Sequence, residues 1–68
     1  MTYDRVIEYC VKEDLTVSAF ERFCKLGNGT VSKWKEENAP TINSLIKIEK
    51  ATGIPIIEWI GGDRFVRN

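Results

Sequence analysis

The stretch KLGNGTVSKW, residues 25–34, decides between three local structures: a β-hairpin, a phosphate-binding loop and a turn between two helices. Its Asn-Gly pair is a strong hairpin signal, and two glycines around an asparagine also occur in phosphate-binding loops. However, the apolar residues on both sides recur every three to four positions, which favours helices and excludes a hairpin. No predicted strand precedes the glycines, which excludes the phosphate loop. We therefore predict that Gly27-Asn28-Gly29 joins two helices, with Gly27 freeing the backbone to leave the first of them.

Short amphipathic helices account for the remaining apolar pattern. Thr16 is the predicted N-cap of the second helix, with Ser18 as a competing candidate, and Thr41 is the predicted N-cap of the fourth. Gly53 is predicted to end the fourth helix, because glycine tolerates the left-handed conformation found there. The five predicted helices span about residues 3–13, 17–25, 28–37, 42–52 and 55–60.

The composition of the chain excludes several classes of function. With 68 residues, we expect one helical domain over residues 1–62 and a C-terminal tail over residues 63–68. There is no histidine, so we expect no enzyme activity, no cofactor and no small-molecule substrate. Cys10 and Cys24 fit no metal-site spacing and are predicted to be buried thiols. Without a bilayer-length apolar segment or a signal-peptide pattern, we expect a cytoplasmic protein that has no membrane partner.

The charge distribution is more informative than the net charge, which is zero. Residues 1–24 carry three basic and five acidic side chains. Residues 36–68 carry four basic and five acidic side chains. Residues 25–35 carry three lysines and no acid. Two short helices joined by a glycine-containing turn are typical of a helix-turn-helix, and here the second helix carries the basic segment. The pattern therefore predicts that double-stranded DNA is the partner, although a solvated helix face is the simpler explanation for a charge run.

Several segments match one family. Leu15-Thr16 opens the second predicted helix, TVS at residues 30–32 lies in the third, and PTINSLIKIEKATGIPIIEWI occupies residues 40–60. Over residues 15–60 the chain resembles the lambda-repressor-like, or Cro/XRE, helix-turn-helix family of bacterial and phage regulators. The resemblance implies an all-α, five-helix DNA-binding domain with the helix-turn-helix at helices 2 and 3. It also implies a sequence-specific transcriptional regulator, with repression favoured, that places helix 3 (about 28–37) in the major groove of an operator.

The residues expected at the DNA follow from the exposed side of this predicted helix-turn-helix and from the resemblance. Asn, Thr, Ser and Lys side chains hydrogen-bond base edges and phosphates. The expected base contacts are Asn28, Gly29, Thr30 and Lys33. The expected backbone contacts are Ser18, Lys25, Ser32, Lys35, Asn38 and Thr41. Asn28 could equally cap the third helix, and the two roles are compatible.

Trp34 and Glu21 lie in the same two predicted helices but are not expected to contact DNA. Trp34 lies three residues after Val31, which favours a place in the core over a stacking platform for single-stranded nucleic acid. Many family members have alanine where this chain has Glu21, and glycine near Lys25. Glu21 is therefore expected to reach solvent or to pair with a basic side chain, Lys25 being one turn away.

A different class of function is also consistent with the sequence. The same fold could serve as a protein-interaction or antitoxin-like module without base-specific readout, using the acidic first helix and the apolar pair Phe65-Val66 of the tail. DNA affinity that does not fall with rising salt would favour this alternative. If the regulator instead forms a homodimer on DNA, its half-sites should lie about 34 Å apart.

Overall fold

The fold is known from a computed structural model that describes residues 2–35 and 39–60. Within these ranges the chain is all-helical and contains no strand, which confirms the predicted fold class at the level of secondary structure. The helices are α1 (Thr2–Glu13), α2 (Val17–Phe23), α3 (Thr30–Trp34), α4 (Ile42–Thr52) and α5 (Ile56–Ile60). The predicted contact residue Asn38, the domain boundary at residue 62 and the tail over residues 63–68 lie outside the described residues.

Threonine side chains cap two of the helices, as the sequence predicts. The Thr16 Oγ1 accepts a hydrogen bond from the Ala19 N–H at 3.0 Å, so Thr16 rather than Ser18 is the N-cap of α2. The Thr41 Oγ1 accepts one from the Ser44 N–H at 3.1 Å and caps α4. Each bond satisfies one of the N–H groups that lack a partner in the first turn of a helix.

The chain leaves α2 at a lysine, so the prediction that Gly27 provides this exit is wrong. Lys25 adopts a left-handed conformation with φ +61°, whereas Gly27 does not. The Leu26 N–H donates to the Glu21 carbonyl oxygen at 2.8 Å, and the Lys25 N–H donates to the Arg22 carbonyl oxygen at 3.1 Å. This pair of bonds is the Schellman motif, which requires the left-handed residue one position past the C-cap.

One core joins all five helices. α1 contacts α2, α3 and α5, and α4 contacts α5. The Tyr9 ring meets the Phe20 and Trp59 rings edge-on, with ring centroids 5.7 and 5.6 Å apart. Trp34 is buried, which confirms its expected place in the core. The buried apolar residues are Val6, Cys10, Phe20, Cys24, Leu26, Val31, Trp34, Leu45, Ile48 and Trp59.

Both cysteines are buried free thiols, as predicted. Burial raises the pKa of the Cys10 thiol, and burial together with the nearby Cys10 raises the pKa of Cys24 to about 11. Both side chains are therefore neutral at ordinary pH and pack as small apolar groups. No helix within residues 2–35 and 39–60 has the length and apolar character needed to cross a bilayer.

Candidate nucleic-acid interface

The turn between α2 and α3 is compact because each of its glycines meets a different requirement. The Thr30 N–H donates to the Gly27 carbonyl oxygen at 3.1 Å and closes the turn. A Cβ on Gly27 would lie only 3.2 Å from the Thr30 Oγ1, so the turn leaves little room for a side chain there. Gly29 is the N-cap of α3 and has φ +82°, a conformation that residues with a Cβ adopt at a cost. The turn therefore depends on space at Gly27 and on backbone conformation at Gly29.

Glu21 joins α2 to the start of α3. Its side chain is only 3% exposed, although it is an acid. The Oε1 accepts a hydrogen bond from the Gly29 N–H at 3.1 Å, and the Oε2 accepts one from the Val31 N–H at 2.9 Å. Gly29 has no side-chain oxygen with which to cap α3, so the carboxylate from α2 takes that role.

The expectation for Glu21 is therefore wrong: it neither reaches solvent nor pairs with Lys25. Burying a carboxylate is unfavourable unless its oxygens are hydrogen-bonded, and here two backbone N–H groups meet that need. Bonds from N–H groups to a charged acceptor are also among the stronger hydrogen bonds in proteins. The carboxylate thus fixes the backbone of the turn and of α3 relative to α2.

The predicted base-contact residues occupy the turn and the first turn of α3. Lys33 is exposed on α3, and Asn28 is exposed in the turn, while Gly29 and Thr30 are partly buried. Because Gly29 cannot take a helical conformation at φ +82°, α3 begins at Thr30 and not near residue 28 as predicted. Asn28 thus precedes the N-cap, and Glu21 supplies the capping oxygens, so the capping role considered for Asn28 is not observed.

The predicted backbone-contact residues within the described ranges are all exposed, but they are spread over several elements. These residues are Ser18, Lys25, Ser32, Lys35 and Thr41. Ser18 lies in the first turn of α2, whereas Lys25 follows the opposite end of that helix. The Thr41 hydroxyl is already engaged, because it also donates to the Ser44 Oγ at 3.2 Å. A phosphate at Thr41 would therefore rely on the N–H groups of α4.

The charged side chains of residues 28–35, which we call the α3 surface, are the exposed Lys33 and Lys35. Neither Lys33 nor Lys35 forms an ion pair with a carboxylate of the described residues. Between residues 25 and 35 the chain contains no acid, and Glu21, the acid that touches this segment, is buried beneath it. The side chains presented to solvent on this surface are thus amide, hydroxyl and ammonium groups, all of which can donate hydrogen bonds.

Comparison of the chain with protein-family models, with curated proteins and with solved structures found no match. Among residues 2–35 and 39–60, no group of three or more His, Cys, Asp or Glu side chains could hold a metal ion. What the α3 surface binds is therefore inferred from its own chemistry and geometry.

Proposed function

We propose that this protein is a sequence-specific, double-stranded DNA-binding transcriptional regulator with a lambda-repressor-like arrangement, in which α2 and α3 form the helix-turn-helix. The observation that carries this proposal is the Glu21 carboxylate, which caps α3 from α2 through two backbone bonds. A recognition surface must hold its side chains in register with base edges, and this link fixes the turn and α3 as one unit with α2.

The side chains of this unit match the chemistry of the major groove. The Asn28 amide can form paired hydrogen bonds with adenine, and the Lys33 ammonium can donate to the acceptors of guanine. Thr30 presents a hydroxyl and a methyl group, which suit either a polar edge or the thymine methyl. Gly29 has no side chain and open space where a Cβ would be, so the backbone can approach a base pair closely.

The remaining predicted residues would position the protein on the duplex. Ser18, Ser32 and Lys35 can donate to phosphate oxygens, and the N-terminus of α4 at Thr41 offers backbone N–H groups. Lys25 adds a further ammonium group beyond α2. Since the net charge of the chain is zero, non-specific affinity should be weak and discrimination should rest on direct base contacts.

Repression is the simplest regulatory output for this small chain. A bound regulator represses by occupying a site that transcription needs, which requires DNA affinity alone. Activation would require an additional surface for the transcription machinery. In the bacterial or phage setting that the family resemblance implies, such a regulator would act in the cytoplasm.

Selection of bound sequences from a random duplex pool tests this proposal. We expect a consensus sequence, and a palindrome with half-sites about 34 Å apart if the protein binds as a homodimer. Affinity for the selected duplex should fall steeply with salt, because phosphate contacts release counterions. An unenriched pool would contradict the proposal.

One observation favours the alternative function as a protein-interaction module. Val11 is 77% exposed on α1, near the acidic residues Glu8 and Asp14. An apolar side chain among acids suits a protein surface better than a nucleic acid. If Val11→Asp abolished binding to a partner protein while the pool selection gave no consensus, this alternative would replace DNA recognition.

A further inference from the structure

A concave surface lies between the end of α2 and the second half of α4. It is a groove of about 290 Å³, which we call the α2–α4 groove. Its floor contains Phe23, Cys24 and Ala51, and its rim carries three lysines: Lys25, Lys47 and Lys50. Its volume is near the lower end of the range for ligand-binding clefts, so it suits one large side chain rather than a whole cofactor.

The floor of the groove leaves an aromatic ring partly uncovered. Phe23, the last residue of α2, is 50% exposed, whereas the neighbouring Cys24 is buried. An aromatic ring contributes strongly to binding when a partner covers it, and a core position would have covered it already. The uncovered ring therefore marks the point where a partner's apolar side chain would gain most.

The rim of the groove has an unbalanced charge. Within residues 2–35 and 39–60, no acid lines the groove and none of its three lysines forms an ion pair with a carboxylate. The Lys47 Nζ lies 3.5 Å from the Lys25 carbonyl oxygen, so it also supports the carbonyl end of α2. An ammonium group has three donors, and Lys47 therefore keeps two for a partner.

This combination of floor and rim discriminates between partners. A DNA backbone would satisfy the lysines, but it would leave the Phe23 ring against charged phosphates and water. A peptide that combines carboxylates with an apolar side chain would satisfy both the rim and the floor.

We propose that the α2–α4 groove binds an acidic peptide segment of a partner protein. One large apolar side chain of that segment packs on Phe23 and Ala51, and flanking carboxylates pair with Lys25, Lys47 and Lys50. The groove lies apart from the proposed base contacts and shares only Lys25 with the proposed phosphate contacts, so peptide binding there does not depend on DNA recognition.

The test uses the full chain and two labelled synthetic peptides of equal charge. One is a short glutamate peptide with a single central leucine, and the other has glycine in place of the leucine. Fluorescence anisotropy measures both affinities at low and moderate salt. The leucine peptide should bind at least about tenfold more tightly than the glycine peptide, because only leucine covers the apolar floor. Both affinities should fall as salt rises.

Two variants and a matched control assign the binding to the groove. Phe23→Ala should remove most of the difference between the peptides, and Lys50→Glu should weaken both by at least about fivefold. Lys12→Glu makes the same charge change on α1, outside the groove, and should alter either affinity by less than about twofold. Circular dichroism should show that all three variants remain helical.

Several outcomes would overturn the proposal. Equal affinity for the two peptides would show that the apolar floor does not bind the leucine side chain. Equal losses of peptide affinity in Lys12→Glu and Lys50→Glu would show that binding depends only on the net charge of the protein. Weaker duplex binding in Phe23→Ala, without peptide binding by the parent, would assign the groove to DNA. A self-associated parent that Phe23→Ala converts to monomer would assign it to a second copy. Because Phe23 and Lys50 are not among the proposed DNA contacts, failure here leaves the α3 proposal unchanged.

Discussion

The N-termini of α3 and α4 are capped in different ways. Both helices have N–H groups in their first turn that lack intrahelical partners. At α4 the cap is local, since Thr41 accepts from Ser44 three residues later. At α3 the cap comes from another helix, since Glu21 accepts from Gly29 and Val31, eight and ten residues later. A local cap stabilises its own helix, whereas the Glu21 cap also fixes α3 against α2.

The largest expected effect comes from breaking the long-range cap. Glu21→Ala leaves two N–H groups without their acceptor in a buried place, and we expect a loss of about 2–4 kcal/mol in unfolding free energy. Glu21→Gln keeps one acceptor oxygen but brings an NH₂ group to the other N–H, so about half of that loss is expected. The unfolding free energies of both variants can be measured by urea titration monitored by circular dichroism.

Glu13→Gln is the matched control, because Glu13 is exposed at the end of α1 and loses the same charge. Its unfolding free energy should stay within about 0.5 kcal/mol of the parent value. If Glu21→Gln were as stable as Glu13→Gln, the carboxylate would not be the cap that its geometry indicates.

The second prediction concerns binding rather than folding. Lys33→Ala removes an exposed side chain that the proposed function places at a base edge. We expect a loss of about 1–3 kcal/mol in binding to a selected duplex and relaxed specificity at one base pair. Stability should change by less than about 0.5 kcal/mol. A titration with selected and random duplexes checks this, and parent-like affinity for both would remove Lys33 from the base contacts.

The third prediction breaks the local cap. Thr41→Ala should cost about 1 kcal/mol in unfolding free energy, because it removes one neutral cap bond at α4. Thr41→Ser keeps the hydroxyl and should retain most of the stability. A loss in Thr41→Ala as large as that in Glu21→Ala would erase the distinction between the two caps.

The smallest expected effect is a gain in stability. Lys25 adopts φ +61° and its side chain forms no hydrogen bond or ion pair within the described residues, so Lys25→Gly should relieve the left-handed conformation. We expect a gain of about 0.5–1 kcal/mol, measurable as a higher Tm. Gly29→Ala, at φ +82°, should shift the Tm in the opposite direction. A lower Tm for Lys25→Gly would contradict the Schellman assignment.

The local features of the fold could be predicted because the interactions behind them join near neighbours in the sequence. The three-to-four-residue apolar spacing predicts the helices, and Thr16 and Thr41 predict where α2 and α4 begin. The burial of Trp34 follows from its position three residues after Val31. Each of these inferences needs only a few adjacent residues.

The features that the sequence did not predict depend on contacts between distant segments. In the sequence, Glu21 is one polar residue of a predicted amphipathic helix, and its capping role appears only when the fold brings the Gly29 and Val31 N–H groups to its carboxylate. One signal was available: a helix that begins after a glycine has no side-chain cap of its own and needs an oxygen from elsewhere. The α2–α4 groove likewise brings Phe23 together with Lys47 and Lys50, which are more than twenty residues away.

If the proposed function is right, the Glu21 cap positions α3 for base-specific recognition of DNA. The most direct measurement compares the affinities of Glu21→Gln and Glu13→Gln for a selected duplex and a random duplex, at a temperature where both variants are folded. We expect Glu21→Gln to lose at least about tenfold affinity for the selected duplex and to keep its affinity for the random duplex, because phosphate contacts are sequence-independent. Unchanged affinity for the selected duplex would contradict the claim.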